Sequence, residues 1–246
     1  MQIRRVWRCA AALAALLAAS CNGKSSSSVT EASKHAYAPR IRPADFGGPV
    51  DNPYFPLTPG SRWVYEGRKA EGNERTVVEV TRDTKTILGI TAVVVHDTVT
   101  KDGSVKEDTF DWYAQDRQGN VWYLGEDTKE YENGAVVSTK GSWEAGVKGA
   151  QPGIIMKARP KPGGPYRQEY FKGQAEDYAQ VLSTQASITV PAGTYRDVVK
   201  TKDFTPLEPK LLEHKYYAPG VGVVREVTVK GSSGRVELVE FTPATA

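Results

Sequence analysis

Apolar and polar residues alternate along almost the whole chain after Ser61, a pattern typical of half-buried β-strands. The pattern is densest from Glu107 to Asp127, where two runs of aromatic and β-branched residues flank Asp116-Arg117-Gln118-Gly119. Asp at the first position and Gly at the fourth favour a type I turn. The stretch therefore predicts a hairpin, and we expect the other strands to lie beside it.

The register of this hairpin depends on the length of its loop. A four-residue loop would pair aromatic side chains across the strands, Trp112 with Tyr123 and Tyr113 with Trp122. It would also place Asp108 opposite Asp127, a like-charge pair that needs a cation or a basic neighbour. A three-residue loop would place Asp108 opposite Thr128 instead. A calcium site is one interpretation and an acidic, solvated strand end is the simpler one, since the spacing matches no EF-hand.

The remaining alternating runs predict further antiparallel strands, and Asn133-Gly134 is a strong hairpin signal. A short helical turn at Gln174 to Val181 is the one exception we expect. The fold class is therefore all-β, an antiparallel meander that forms a curled sheet, a half-barrel or an open barrel. The predicted strands are 62–66, 75–81, 90–100, 135–144, 166–172, 178–190, 195–205, 211–218, 222–229 and 235–241.

The two halves of the chain resemble each other, which suggests an internal duplication. His96-Asp97-Thr98-Val99 and Arg196-Asp197-Val198-Val199 both follow a bend that contains glycine. Each is followed by a strand that ends in two aromatic residues and alanine, at 112–114 and at 216–218. A duplicated unit of this kind predicts two stacked meanders or one long curled sheet.

Residues 141–165 are rich in glycine and proline but also hold Trp143, Ile154, Ile155 and Met156. A segment this long without strand character is unusual in a compact domain, and its apolar residues indicate that it packs. Two roles are open. The segment is either a lid over the open end of a barrel or a cover for a sheet edge that would otherwise aggregate.

The N-terminus has the features of a bacterial lipoprotein signal. Residues 1–20 combine three arginines with a short apolar run that is too short to cross a bilayer, and Ala18-Ala19-Ser20-Cys21 resembles a lipobox. Residues 21–50 predict a lipidated, flexible tether that begins at Cys21, the lipidation site. The β domain is expected at 51–246, with the apolar residues of 51–57 packed on it. The predicted location is the cell envelope, facing the extracytoplasmic side of a membrane.

Removal of residues 1–20 changes the charge of the chain. The full chain holds 32 basic and 29 acidic residues, and three arginines leave with the signal, so the mature chain has 32 − 3 = 29 of each. A formally neutral chain gives no reason to expect nucleic acid as a partner. Cys9 is also lost and Cys21 carries lipid, so we expect no disulfide in the folded part.

Two sets of motifs resemble a known family. Pro191-Ala192-Gly193-Thr194-Tyr195 with residues 216–222, and Asn52-Pro53-Tyr54-Phe55-Pro56-Leu57 with Trp63 and Tyr65, are similar to motifs of an uncharacterised bacterial lipoprotein family. Some of its members are thought to share the open half-barrel of the lipoprotein carrier and receptor proteins. The resemblance implies a membrane-anchored half-barrel. It implies no catalytic residue, since none is established for the family.

Candidate catalytic and metal-binding groups are few. The histidines at 35, 96 and 214 lie far apart in the sequence, no HExxH is present, and no zinc site or other cofactor is expected. A Ser-His-Asp triad stays open because its members need not be neighbours in sequence. An acidic cluster could serve a hydrolase, but strand ends often carry acids and we expect no enzymatic activity. Its members are Asp108, Asp111, Asp116, Glu126 and Asp127.

Aromatic residues are the more suggestive group. They could line a groove for an apolar or lipid-like ligand, or they could fill the core. The leading hypothesis is a membrane-anchored lipoprotein with a ligand-binding β domain. The alternatives are a structural or interaction lipoprotein with a filled core, and a hydrolase that uses the acidic cluster. The candidate ligand-binding residues are Trp63, Tyr65, Trp112, Tyr113, Trp122, Tyr123, Trp143 and Tyr216.

Overall fold

The computed structural model describes residues 37–69 and 72–244, apart from the side chains of residues 68, 69 and 72. The predicted signal peptide and the predicted lipidation site Cys21 lie outside the described residues. Within them the structure consists of fifteen β-strands and one 3-10 turn, Pro43–Asp45. This confirms the all-β prediction. The helical turn expected at Gln174 to Val181 is wrong, because residues 178–181 already belong to a long strand.

The strands follow one another with short connections. They are β1 Arg62–Lys69, β2 Gly72–Ile87, β3 Ile90–Lys101, β4 Ser104–Gln115, β5 Val121–Glu132, β6 Ala135–Ser138, β7 Trp143–Glu144, β8 Gln151–Met156, β9 Tyr166–Arg167, β10 Glu169–Tyr170, β11 Tyr178–Val190, β12 Gly193–Phe204, β13 Leu212–Ala218, β14 Gly222–Lys230 and β15 Gly234–Thr242.

All the pairings are antiparallel and join the strands into one sheet that is not closed into a barrel. The strand order is β10-β8-β5-β4-β3-β2-β1-β15-β14-β13-β12-β11-β9, with β6 and β7 also paired to β5. One meander, β1 to β5, therefore lies beside a second, β11 to β15. The first strand of the one pairs with the last strand of the other, which places the two halves of the chain side by side in one curled sheet.

The two halves share their register as well as their strand order. Tyr113 of β4 pairs with both Val93 and Tyr123. Tyr217 of β13 pairs in the same way with Val199 and Val223. The ladder skips one residue of the neighbouring strand at the same place in each half, Leu124 in β5 and Val224 in β14, as a β-bulge does. This supports the predicted duplication.

The sequence motifs align His96-Asp97 with Arg196-Asp197, but the strand pairings align Asp97 with a different residue. Asp97 lies four residues after Val93, and the residue four positions after Val199 is Asp203. Asp97 and Asp203 are both buried, whereas Asp197 is exposed with a positive φ of 53°. The alignment of the two motifs rests on similar turn composition, and it differs from the alignment given by the pairings by six residues, Asp197 in place of Asp203.

The hairpin at 107–127 forms as predicted, with a shift in its register. The amide of Gly119 donates to the carbonyl of Asp116 over 2.8 Å, and Gly119 has a φ of 90°, as the turn requires. The three-residue loop forms, since the amide of Asp116 donates to the carbonyl of Asn120 over 2.9 Å. Next to the turn Tyr113 pairs with Tyr123, as this loop length gives. Gly125, at a φ of 136°, then forms a bulge with Leu124 that shifts the register by one residue, so that Asp108 lies opposite Lys129 rather than Thr128.

The like-charge pair is displaced rather than removed. Asp111 of β4 lies directly opposite Glu126 of β5, and both side chains are buried. The opposition of Asp108 and Asp127, expected for a four-residue loop, does not occur, because the loop has three residues and the bulge shifts the register by one more.

Residues 141–165 cover a sheet edge. They contain β7 and β8, which pair with β5, and they bury Trp143, Ile155 and Met156 in the core. The two short strands that follow this segment lie at the two edges of the sheet. β10 pairs with β8 at one edge, and β9 pairs with β11 at the other. The outer edge of β5 is therefore mostly paired, whereas β9 covers only Tyr178 and Ala179 of β11.

The N-terminal residues pack along one end of the sheet. Phe55 and Leu57 are 1% exposed, as expected for this apolar stretch. The Asn52 amide donates to the carbonyls of Gly119 and Lys157, over 2.8 and 3.2 Å. Contacts with the domain begin before residue 51, because Phe46 bridges to Asp116 and the Tyr37 hydroxyl donates to the carbonyl of Pro152 over 2.9 Å.

Candidate functional site

Four of the predicted ligand-binding aromatics lie together on the inner face of the sheet. Trp63, Tyr65, Tyr113 and Tyr123 are at most 1% exposed. The Trp63 indole donates to the carbonyl of Val221 over 2.8 Å, and the Tyr65 hydroxyl donates to that of Val223 over 2.9 Å. Their side chains belong to the core of the sheet.

Tyr113 and Tyr123 form the centre of this group. Their rings stack at 4.8 Å, and the Tyr123 hydroxyl donates to Asp111 over 2.6 Å. Burial raises the pKa of both tyrosines well above the usual value, and the charges of Asp111 and Glu126 raise it further. Both hydroxyls therefore stay protonated, and that of Tyr123 serves as a hydrogen-bond donor.

Three further aromatics of the predicted set lie around these four, and the ring of Trp143 meets that of Tyr123 edge to face at 5.3 Å. Trp112 is 7% exposed, and the Lys85 ammonium lies 3.4 Å from the centre of its ring. The Trp143 indole donates to the buried carboxylate of Glu169 over 3.0 Å. Tyr216 is half-buried in β13. Their ligand-binding role stays a prediction, as it does for the four inner aromatics.

Trp122 is the member of the set that borders a cleft. Its ring is partly exposed and meets Phe46 edge to face at 6.4 Å. The cleft has a volume of about 290 Å³. Apolar side chains of Ile41 and Ile154 line it beside the two rings. The polar and charged residues of the lining are Arg40, Arg42, Asp45, Asp116, Arg117, Gln118 and Asn120.

Asp116 holds Trp122 in this position. One carboxylate oxygen accepts the backbone amides of Gln118 and Asn120, each over 2.9 Å. The other accepts the Asn120 side-chain amide over 2.9 Å and the Trp122 indole over 2.8 Å. Three of these hydrogen bonds fix the carboxylate within the turn, and the fourth joins it to the indole of Trp122.

A second cleft of about 390 Å³ lies on the other side of the contact between the N-terminal segment and the turn. It shares Asp45, Phe46, Asp116, Arg117 and Gln118 with the first cleft. It contains none of the predicted aromatics. The aromatic cleft is therefore the better candidate for an apolar or lipid-like ligand.

The charges around the aromatic cleft are unevenly paired. Asp45 binds two arginines, Arg42 at 2.8 Å and Arg117 at 3.0 Å. Arg40 is exposed and makes no ion pair with any residue that the structure describes. One guanidinium at the mouth of the cleft is thus available to an anionic group.

The predicted acidic cluster is not brought together in either cleft. Asp108 accepts from the His96 imidazole over 2.6 Å, and Asp127 pairs with Lys129 at 3.0 Å. The inner carboxylates of Asp111 and Glu126 lie among the core tyrosines. Within residues 37–69 and 72–244, no group of three or more His, Cys, Asp or Glu residues has the geometry of a metal site.

The second half of the sheet holds a buried charge cluster that the sequence analysis missed. The ammonium of Lys215 lies 3.6 Å from the carboxylates of both Asp203 and Glu226, and all three side chains are at most 4% exposed. Although burial alone lowers the pKa of Lys215, the charges of Glu226 and Asp203 raise it above its usual value. The ammonium is therefore a structural cation at neutral pH, and it has no role as a nucleophile there.

The cleft residues other than Trp122 were also missed. Ile41 and Phe46 lie in the proline-rich stretch assigned to the tether, and Ile154 lies in the segment read as a lid or an edge cover. Isolated apolar residues in such segments were a usable signal, because they indicate packing onto the domain. Their convergence on one cleft depends on tertiary contacts.

Comparisons with known proteins give structural neighbours only. No protein-family model matches the sequence, and no curated protein matches it. Two solved structures resemble the chain, each at 18% identity and over 77% of its length. One is a Bacteroides fragilis protein described as exported and YmcC-like in fold, with a TM-score of 0.45 and 99% of that chain covered. The other is a Parabacteroides distasonis protein described as a lipoprotein, with a TM-score of 0.42 and 98% covered.

A likeness at this level assigns neither a family nor a function. In the part of the chain that the structure describes, no helix has the length and hydropathy needed to cross a membrane.

Proposed function

We propose that this chain is a lipid-anchored, extracytoplasmic binding protein of the cell envelope that takes an anionic amphiphile at the Trp122 cleft. The anchor is proposed from the lipobox-like Ala18-Ala19-Ser20-Cys21 and the small-residue tether that follows it. The observation that carries the binding role is Trp122 itself, an aromatic residue of the predicted set that is partly exposed in a cleft.

The lining of the cleft supports the class of ligand. Ile41, Phe46, Trp122 and Ile154 offer apolar surface for an acyl chain or a similar group. Arg40 adds a cation for a phosphate or carboxylate, because a guanidinium binds such groups through two parallel hydrogen bonds. A cleft of about 290 Å³ holds part of a lipid-like molecule rather than a whole one.

Native mass spectrometry of the mature lipoprotein, purified from its own envelope in mild detergent, tests this function. We expect a co-purified anionic amphiphile on the wild type. Trp122→Ala should remove the bound mass and Arg40→Gln should weaken its retention. Tyr131→Ala is the matched control, because Tyr131 is half-buried in the same strand and lines neither cleft.

The outcome also separates the two parts of the proposal. A diacylated Cys21 at the N-terminus of the mature chain supports the anchor, and an unmodified Cys21 overturns it. A ligand retained by Trp122→Ala would place the binding site elsewhere.

A structural or interaction lipoprotein with a filled core is the second candidate. It is favoured by the hydrogen bonds of Trp63 and Tyr65 to backbone carbonyls, since groups satisfied in this way have no need of a ligand. A chain that carries its anchor but no co-purified molecule under any condition would support this candidate over the first.

A further inference from the structure

The segment from Ala145 to Gln168 is the most one-sided stretch of charge in the described chain. It holds five basic residues, at 148, 157, 159, 161 and 167, and no acidic residue. Three of them, Lys157, Arg159 and Lys161, lie in the proline- and glycine-rich loop 157–165 between β8 and β9. Arg159 and Lys161 are exposed.

The loop is held in place rather than left free. The amide of Ala158 donates to the Asn120 side chain over 2.9 Å, and the side chain of Gln180 donates to the carbonyl of Gly163 over 2.9 Å. The Lys157 ammonium lies 4.1 Å from the centre of the Tyr166 ring. The backbone of the loop is therefore held at Ala158, next to the 116–119 turn, and at Gly163, next to β11.

No described carboxylate neutralises these cations. Lys157, Arg159 and Lys161 make no ion pair with any residue in the described part of the chain, and the same holds for Arg40 at the neighbouring cleft. Burial lowers the pKa of Lys157, and the charge of Lys161 lowers it further. We call Arg40, Lys157, Arg159 and Lys161 the basic patch.

The proposed anchor would place this patch within reach of a membrane. Residues 22–36 separate Cys21 from Tyr37, and fifteen extended residues span about 50 Å. Tyr37 is fixed to β8 through the carbonyl of Pro152, on the strand that leads directly into the basic loop. The tether therefore leaves the domain beside the strand that carries the patch.

We infer that the basic patch docks on the anionic lipid headgroups of the bilayer that holds the anchor. Exposed lysine and arginine side chains gain favourable energy at such a surface, and the gain falls off within a Debye length. Docking would bring the mouth of the Trp122 cleft to the membrane surface, where an amphiphile is available. This inference rests on the anchor of the proposed function.

The test uses the full mature lipoprotein in vesicles with a single fluorescent label. The mature chain holds no cysteine except Cys21, which is lipidated under the proposal, so Gly164→Cys provides one labelling site. A side chain at Gly164 meets no atom within 4 Å. Energy transfer from this label to an acceptor on the lipid headgroups measures how close the loop lies to the bilayer.

Transfer should be higher in phosphatidylcholine vesicles that contain 30% phosphatidylglycerol, on the order of typical anionic content, than in pure phosphatidylcholine, and high salt should abolish the difference. Arg159→Gln with Lys161→Gln should lower the ratio of docked to undocked molecules about 25-fold, from about fivefold for each basic residue. The control is Lys210→Gln with Lys230→Gln, which removes the same charge from two exposed lysines at the opposite end of the sheet.

The outcomes separate docking from anchoring. Equal transfer in both vesicle types overturns docking, and so does an equal loss in the control variant. A protein that does not float with pure phosphatidylcholine vesicles lacks the anchor, which overturns the proposed function while the phosphatidylglycerol dependence still decides docking. Preferential binding of a soluble anionic polysaccharide would assign the patch to that polymer and overturn the membrane surface.

Discussion

Glu126 of β5 and Glu226 of β14 occupy equivalent places in the two halves of the sheet. Each lies two residues after the residue that the bulge skips, and each faces a buried charged residue on the preceding strand. That residue is Asp111 in the first half and Lys215 in the second. The halves therefore share a backbone plan and differ in the sign of one buried charge.

Lys215→Met tests what the buried cation contributes to stability. The substitution keeps the length of the side chain but leaves Asp203 and Glu226 without the ammonium that lies 3.6 Å from each. We expect the free energy of unfolding to fall by about 3–5 kcal/mol, because breaking a buried ion pair strands a charge in the interior. Chemical denaturation measures the change.

The control for this substitution is Lys230→Met, an exposed lysine on β14. It should change stability by less than about 0.5 kcal/mol, as surface substitutions do. An equal effect of the two would show that the buried cluster contributes nothing of its own.

Strand existence was predictable from alternation, because side chains on a half-buried strand alternate between the core and the other face. The register of the central hairpin was not. The bulge requires glycine at position 125, where φ is 136°. The Cβ atom of any other residue there would lie 2.3 Å from the carbonyl oxygen of Trp143. That contact comes from a residue 143 − 125 = 18 positions further along the chain, and no local pattern reports it.

Only part of the candidate site could be predicted from the sequence, again because the rest depends on long-range contacts. Trp122 was among the eight aromatics, but composition could not separate it from core members such as Tyr113, which have the same chemistry. The difference lies in exposure, which is set by the N-terminal segment through Phe46 and by β8 through Ile154. Both are long-range contacts.

Gly153→Ala tests whether residues 166–170 must lie against β8. An alanine side chain would come within 2.3 Å of the backbone carbonyl carbon of Gln168, which is fully buried. Since the clash is with backbone, the segment must move, and we expect a loss of about 1–3 kcal/mol or more. Hydrogen exchange should show faster opening at 151–156 and 166–170.

Gly163→Ala provides the comparison in the adjoining loop. Its added atom would lie 3.8 Å from the nearest atom, the carbonyl oxygen of Lys161. Exchange in β8 should stay at the wild-type rate in this variant. Unchanged exchange in Gly153→Ala would mean that the two ends of the sheet are held by other contacts.

We expect His214 to make the domain less stable in mild acid. Burial lowers the pKa of this histidine, and the charges of Lys200 and Lys202 on the neighbouring strand lower it further. The unfolded chain therefore binds the proton more readily than the folded one, so stability is lost as the pH falls below about 6.5. His214→Gln should flatten the stability profile between pH 7.5 and pH 5, as followed by urea denaturation at each pH.

Lys202→Gln gives an independent check on the cause. It removes one of the two repelling charges, so the loss of stability on acidification should become smaller while the histidine remains. A profile that is unchanged in both variants would assign the pH dependence to other groups.

Asp116→Asn separates the fold of the turn from the presentation of Trp122. The carboxylate accepts four hydrogen bonds, and the amide nitrogen of asparagine cannot replace the oxygen that accepts from Asn120 and Trp122, since donors would then face donors. We expect a loss of about 1–3 kcal/mol in stability, from hydrogen bonds left unmade. Trp122 should also become more mobile, which time-resolved fluorescence anisotropy can follow in a variant that keeps this tryptophan alone.

Asp83→Asn is the control, because Asp83 is exposed and its side chain bonds to no described residue. If the cleft binds its ligand through Trp122, Asp116→Asn weakens retention of the co-purified amphiphile and Asp83→Asn does not. Retention that is unchanged in both would separate the turn from the binding site.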